Sequence, residues 1–279
     1  MKKTIFVLLL VLSFLISCND DNPLKQSQKT FLLQSGTTPS SVSDLVESYL
    51  YDPDLIGIIE FHSNLRNDVS INWINNNKVV TNYDGINNYA YAAFKDANNN
   101  PVTVENLLIN ASLLREYNPG SYAKVGNDEL DLNFGNSISN KYYIECLKHT
   151  IIPDTVFDEV VFNNRVEITN IQRFDSLSAS QGFTVNWSGG SSNAKVQINF
   201  DLRDFEESTI NYSSGFYEIT DNTGSFTITP LRLSDTGPRG KLFDLSVTAY
   251  EPILRTLSNG KKILLLGTTV HTKSVYLVD

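Results

Sequence analysis

Few residues in this 279-residue chain have the type and spacing to do chemistry. His62, His149 and His271 lie far apart. No pair of them has metal-ligand spacing and no H-E-x-x-H is present, so a zinc site or a triad would have to be assembled through the fold. Each reads as an ordinary strand or core histidine. The run Glu129-Leu130-Asp131-Leu132-Asn133-Phe134 alternates with period two, which puts Glu129, Asp131 and Asn133 on one face of a strand. Glycoside hydrolysis needs one carboxyl as acid, and Asn133 cannot protonate a leaving group, so a half-buried strand with a wet face is expected. The oxygen-rich stretch 96–100 has Pro101 where a calcium loop needs glycine and Leu107 where it needs the bidentate acid. A hairpin turn is expected there, and at 221–224. Gly189-Gly190 precedes no helix, so it reads as a turn and not as a phosphate cradle. No metal, no cofactor and no catalytic residue follows from these patterns, and the chain is expected not to be an enzyme.

Aromatic residues offer another kind of chemistry. Tyr89, Tyr91, Tyr117, Tyr122 and Tyr142 fall among Asn-rich segments in the expected first domain, 41–164. Tyrosine supplies a flat apolar body with a polar tip, and asparagine supplies adaptable hydrogen bonding, so together they read as a ligand-binding surface. The competing reading is ordinary strand aromatics. Trp73 and Trp187 share their strand faces with apolar residues and are expected in the core. The net charge of −9 argues against nucleic acid as a partner, because phosphate binding needs a basic footprint.

The N-terminus carries an address. Lys2 and Lys3 precede an apolar run over residues 5–16, broken by Ser13 and too short to span a bilayer. This is the shape of a secretory signal. It ends in Leu15-Ile16-Ser17-Cys18, which resembles the lipobox of bacterial lipoproteins. The resemblance implies removal of residues 1–17, lipidation of Cys18 and anchoring to a membrane by acyl chains. Loss of Lys2 and Lys3 takes the net charge from −9 to −11. Asn19-Asp20-Asp21-Asn22 is similar to the acidic export signals of Bacteroidota surface lipoproteins, which implies an outer-membrane, surface-exposed location. With Cys18 acylated, Cys146 is left without a partner and reads as a small buried hydrophobe.

The elements that must position these residues are β-strands. Residues 18–40 read as a flexible tether, and 41–50 as one short helix ended by Pro53. Beyond residue 55 the periodicity is two, with Asn, Gly and Pro turns at short intervals, the pattern of an all-β sandwich or barrel. Two β-sandwich-like domains are expected, over 41–164 and 165–279. In the second, strands are expected at 166–172, 183–187, 195–201, 217–220, 225–229, 242–250, 263–270 and 273–278. Phe183-Thr-Val185-Asn-Trp187, Ser225-Phe-Thr-Ile-Thr-Pro-Leu231 and Phe243-x-Leu245-x-Val247-x-Ala249 resemble the second, fifth and sixth strands of fibronectin type III and related immunoglobulin-like modules. Phe243 stands where that family usually has tyrosine. The 129–134 run is likewise similar to the E-x-D-x-E strand of laminarinase-type hydrolases, but departs from it at Asn133.

Together these readings imply a lipid-anchored envelope protein acting as a non-catalytic binding or structural module. It resembles the accessory lipoproteins that hold glycans or proteins beside outer-membrane uptake systems. A polysaccharide or an envelope protein is the expected partner. The alternatives are a glycan-active hydrolase whose carboxylates converge only in the fold, and a protein-binding component of an envelope complex.

Overall fold

The structure is a computed structural model that describes residues 49, 52–74, 77–110, 112–123, 141–147, 152, 155–160, 165–203, 215–234, 236–237 and 239–279. The signal, Cys18, the tether, the 129–134 run and His149 lie outside the described residues. Of the expected helix, only Tyr49 is described. It is helical and packs on Leu55, Ile58, Tyr250, Leu264 and Leu266.

The described residues are all-β apart from Tyr49 and one helical turn, α1 (Pro230–Leu233). The C-terminal part is a sandwich. One sheet pairs β8 (Glu167–Ile168), β10 (Phe183–Ser188) and β13 (Ser225–Ile228). The other places β11 (Lys195–Leu202), β12 (Gly215–Asp221), β14 (Lys241–Thr256) and β15 (Lys262–Val278) in the order β12-β11-β14-β15. Period-two patterning is the cause. Phe243, Leu245, Val247 and Ala249 are buried on one face of β14, and they pack with Val196, Ile198 and Phe200 of β11 and with Val185, Trp187 and Ile228 of the smaller sheet. Phe200 and Phe243 stack with ring centroids 4.7 Å apart. Trp187 is buried as expected, and its indole N–H donates to Asn222 Oδ1 at 2.7 Å.

Two local expectations change, and one strand is new. The strand expected at 166–172 is only two residues long, because Asn170 replaces ladder bonds with its side chain: it accepts from Asn186 N and donates to Thr184 O. A short β9 (Ser176–Ser178) instead pairs parallel with β15. The two strands expected at 263–270 and 273–278 are one, since His271 and Thr272 continue the ladder while buried.

β14 and β15 outrun the sandwich. β15 pairs parallel with β1 (Leu55–Ile74) from Leu55↔Lys262 to Asn67↔Lys273, and β1 pairs antiparallel with all of β2 (Asn77–Phe94). The sheet continues through β5 (Ser121–Ala123), β4 (Ser112–Asn118), β3 (Asn106–Ile109), β6 (Lys141–Leu147) and β7 (Thr155–Val160). Phe61 of β1 and Ile144 of β6, far apart along this path, join one cluster with Phe94, Leu107 and Leu265, so the sheet curls over a second core. Cys146 is buried there. One sheet therefore runs across the 164/165 junction, and Arg165 Nε donates to Ser63 Oγ beside it. The 96–100 stretch is a turn: Asp96 Oδ1 accepts from the backbone N–H of Asn98 and of Asn100, both at 2.8 Å.

Candidate functional site

Past a bulge at Leu55/Gly57, β1 keeps an unbroken register with both neighbours. Alternation is therefore preserved across the sheet. Ile59 and Phe61 face the curled core, and the opposite face is polar and aromatic. One transverse row on it reads Gln197, Thr248, Val270, Asn64 and Asn87, on β11, β14, β15, β1 and β2 in turn. The neighbouring row reads Tyr250, Thr268, His62 and Tyr89. The next sets Leu266, Glu60 and Tyr91 side by side.

At the β1–β2 end these side chains form a compact group. His62 Nε2 lies 3.1 Å from Glu60 Oε2, with side-chain exposures of 16% and 23%. The imidazole stacks on Tyr89 with centroids 4.6 Å apart, and Tyr91 meets both rings edgewise, 5.4 Å from Tyr89 and 6.0 Å from His62. Deeper in, Tyr250 is buried and bonded to Thr248; burial raises its pKa, and the Glu60 charge adds to the effect. Thr268 Oγ1, Gln197 Oε1 and Asn64 Oδ1 are buried on this face with no hydrogen-bond partner among the described residues. Such atoms are uncommon in native proteins, because an unpaired buried polar group costs about 1–3 kcal/mol.

Lower on the same face lies a charged cluster. Arg66 forks onto Asp68, and Arg203 reaches Asp244 at 3.0 Å and the Val69 carbonyl at 2.7 Å. Ser274 Oγ donates to Asp244 and accepts from Val69 N. Asp201 stands directly opposite Asp244 on the neighbouring strand. Burial pushes Asp201 up to about 7, with the Asp244 charge adding, and pushes Asp244 up to about 6 against the pull of Arg203. These bonds tie β1 to β11, β14 and β15, which is a structural engagement.

The tyrosines singled out in the sequence do not act as one set. Tyr89 and Tyr91 are brought together. Tyr122 is a core residue, 2% exposed, with its hydroxyl donating to Val104 O and accepting from Val104 N. Tyr117 is half-buried on β4. Tyr142 belongs to β6, and its side chain lies outside the described residues. Glu60 was missed, and His62 was read only as an ordinary strand or core histidine; the signal for them was the pairing of Glu60-x-His62 with Tyr89-x-Tyr91 on two adjacent alternating strands. His271 is a satisfied core histidine: Nδ1 accepts from Ile168 N, Nε2 meets Asn67 Oδ1, and burial lowers its pKa to about 4. Among the described residues no group of three His, Cys, Asp or Glu could hold a metal ion, and no helix is long and apolar enough to cross a membrane.

No protein-family model matches the chain, and no curated protein matches it by sequence. Among solved structures it is similar to the Clostridium thermocellum CbhA fibronectin(III)-like modules at 11% identity, over 68% of this chain and 84% of that one, with a TM-score of 0.24.

Proposed function

We propose that this chain is a lipid-anchored cell-envelope protein that works as a non-catalytic binding module, with the Tyr89–Tyr91 end of the polar face as its contact surface. The anchor rests on Leu15-Ile16-Ser17-Cys18 behind a short apolar run. The binding reading rests on one observation above all. The half-buried rings of His62, Tyr89 and Tyr91 and the Glu60 carboxylate stand together at the β1–β2 end of the polar face. A ligand rich in hydroxyl groups, such as a polysaccharide, supplies donors and acceptors for that surface and apolar C–H faces for the rings. Anchoring many copies on one membrane adds weak contacts through high local concentration.

The test is affinity electrophoresis of the purified full chain against a panel of polysaccharides, with reducing-sugar release followed in the same samples. Retardation by a glycan without release of product supports the proposal. No retardation by any glycan overturns the glycan assignment, and steady product release overturns the non-catalytic one. The competing hydrolase reading has its nearest counterpart in Asp201 and Asp244, but Asp244 is committed to Arg203 and Ser274.

A further inference from the structure

Residues 165–171 lead into the sandwich and are held to β15 by side chains, not by a ladder. β8 is paired to β10 on one side, where Thr169 N also donates to Asn186 O. Alternation turns the N–H groups of Val166 and Ile168 the other way, toward β15. The β15 backbone is already laddered to β14 and β1 at these positions. Its side chains therefore serve instead. Thr269 Oγ1 accepts from Val166 N at 3.2 Å, His271 Nδ1 accepts from Ile168 N at 2.8 Å, and Lys273 Nζ donates to the Ile171 carbonyl. The β1 pairing of β15 ends at Lys273, and from there the chain bonds to the β15 backbone. Phe174 N donates to Ser274 O, and β9 pairs with 276–278.

Of the three side chains in this seam, His271 alone loses its bond on taking a proton. Nδ1 must be bare to receive the Ile168 N–H, so the ring proton sits on Nε2 and is donated to Asn67 Oδ1 at 2.8 Å. A second proton sets one donor against another. The surrounding charges do not compensate it. Lys273 on the same strand and Arg165 on the entering segment are cations that oppose it, and burial opposes it more strongly. At this register β14 presents Val247 and β1 presents Leu65, neither of them charged. Glu167 and Asp175 act on Lys273, and Asp84, beyond Asn67, is paired with Arg173.

We propose that this seam is an acid-operated latch: protonation of His271 frees residues 165–171 from β15 while the core between β10, β11 and β14 stays closed. The sign follows from linkage. His271 has a pKa of about 4 in the closed seam against an ordinary 6.5, so the closed form binds the proton more weakly. Closure is at full strength above pH 6.5 and weakens as pH falls toward 4. Opening of the segment should become about fiftyfold more frequent between pH 7 and pH 4.5.

Hydrogen exchange of the purified full chain, read by mass spectrometry at both pH values and corrected for the intrinsic exchange rate, tests this. In wild type, protection of 165–171 should fall by roughly that factor, while 243–249 stays protected. His271→Asn places Oδ1 where Nδ1 accepts and carries no titrating group, so its protection of 165–171 should not change with pH. Imidazole NMR of wild type, with His62→Gln and His149→Gln used for assignment, gives a reading that needs no His271 variant: His271 should titrate well below 6.5. Unchanged protection of 165–171 in wild type at pH 4.5 overturns the proposal. So does an equal loss in His271→Asn, or a His271 midpoint near 6.5 in the folded chain.

Discussion

Replacing Asp201 by Asn should stabilise the protein at alkaline pH and do little at acid pH. The carboxyl is buried beside Asp244, and both effects favour its neutral form, so its pKa rises to about 7 from an ordinary value of 3.8. A folded-state pKa above the unfolded value means that the native state binds the proton more tightly. Its stabilising contribution is complete below about pH 3.8 and is lost as pH rises through 7. Three units of difference set a ceiling of about 4 kcal/mol on that loss. Local rearrangement and water entry reduce the expected figure to about 1–3 kcal/mol. Asn keeps the shape of the neutral acid and has no charge to bury. Urea denaturation of wild type and Asp201→Asn at pH 5 and pH 8.5 measures the effect directly. About two of the three units of difference fall between these pH values, so the variant should gain about 1–2 kcal/mol on wild type between them. A gap that stays constant with pH would refute the reasoning, as would a variant less stable than wild type at pH 8.5.

Two further outcomes follow from the packing. Tyr122→Phe removes the hydroxyl that serves both backbone groups of Val104, leaving them buried and unpaired, and should cost about 1–3 kcal/mol in a denaturation midpoint series. Gly189→Ala should destabilise by several kcal/mol and shift the melting temperature strongly downward: φ is +89° and an added Cβ would stand 1.9 Å from Arg165 O, so neither backbone can yield cheaply.

The sandwich was the legible part of the fold because its strands alternate cleanly. Phe183-x-Val185-x-Trp187 and Phe243-x-Leu245-x-Val247-x-Ala249 each put their apolar residues on the face that is buried. Strands whose buried residues are polar broke that signal. His271 and Thr272 read as a gap in β15, yet one accepts a backbone N–H from β8 and the other shares a hydroxyl bond with Ser246. The parallel pairing of β1 with β15 joins residues about two hundred positions apart, and no local pattern encodes it. The candidate site shows the same divide. Tyr89-x-Tyr91 was visible as a repeat on one strand, whereas its partners Glu60 and His62 acquire meaning only once the register sets them opposite. Tyr122 had the same composition around it but faces the core, because β5 presents it there against Phe94.

The most direct test compares wild type with Tyr91→Ala in affinity electrophoresis against a retarding polysaccharide, with urea stability measured alongside. The account predicts retardation weakened roughly tenfold or more, with stability lowered by no more than about 2 kcal/mol, since the ring is half-buried and lies on the polar face. Unchanged retardation in a correctly folded Tyr91→Ala protein would contradict the assignment of that face as the contact surface.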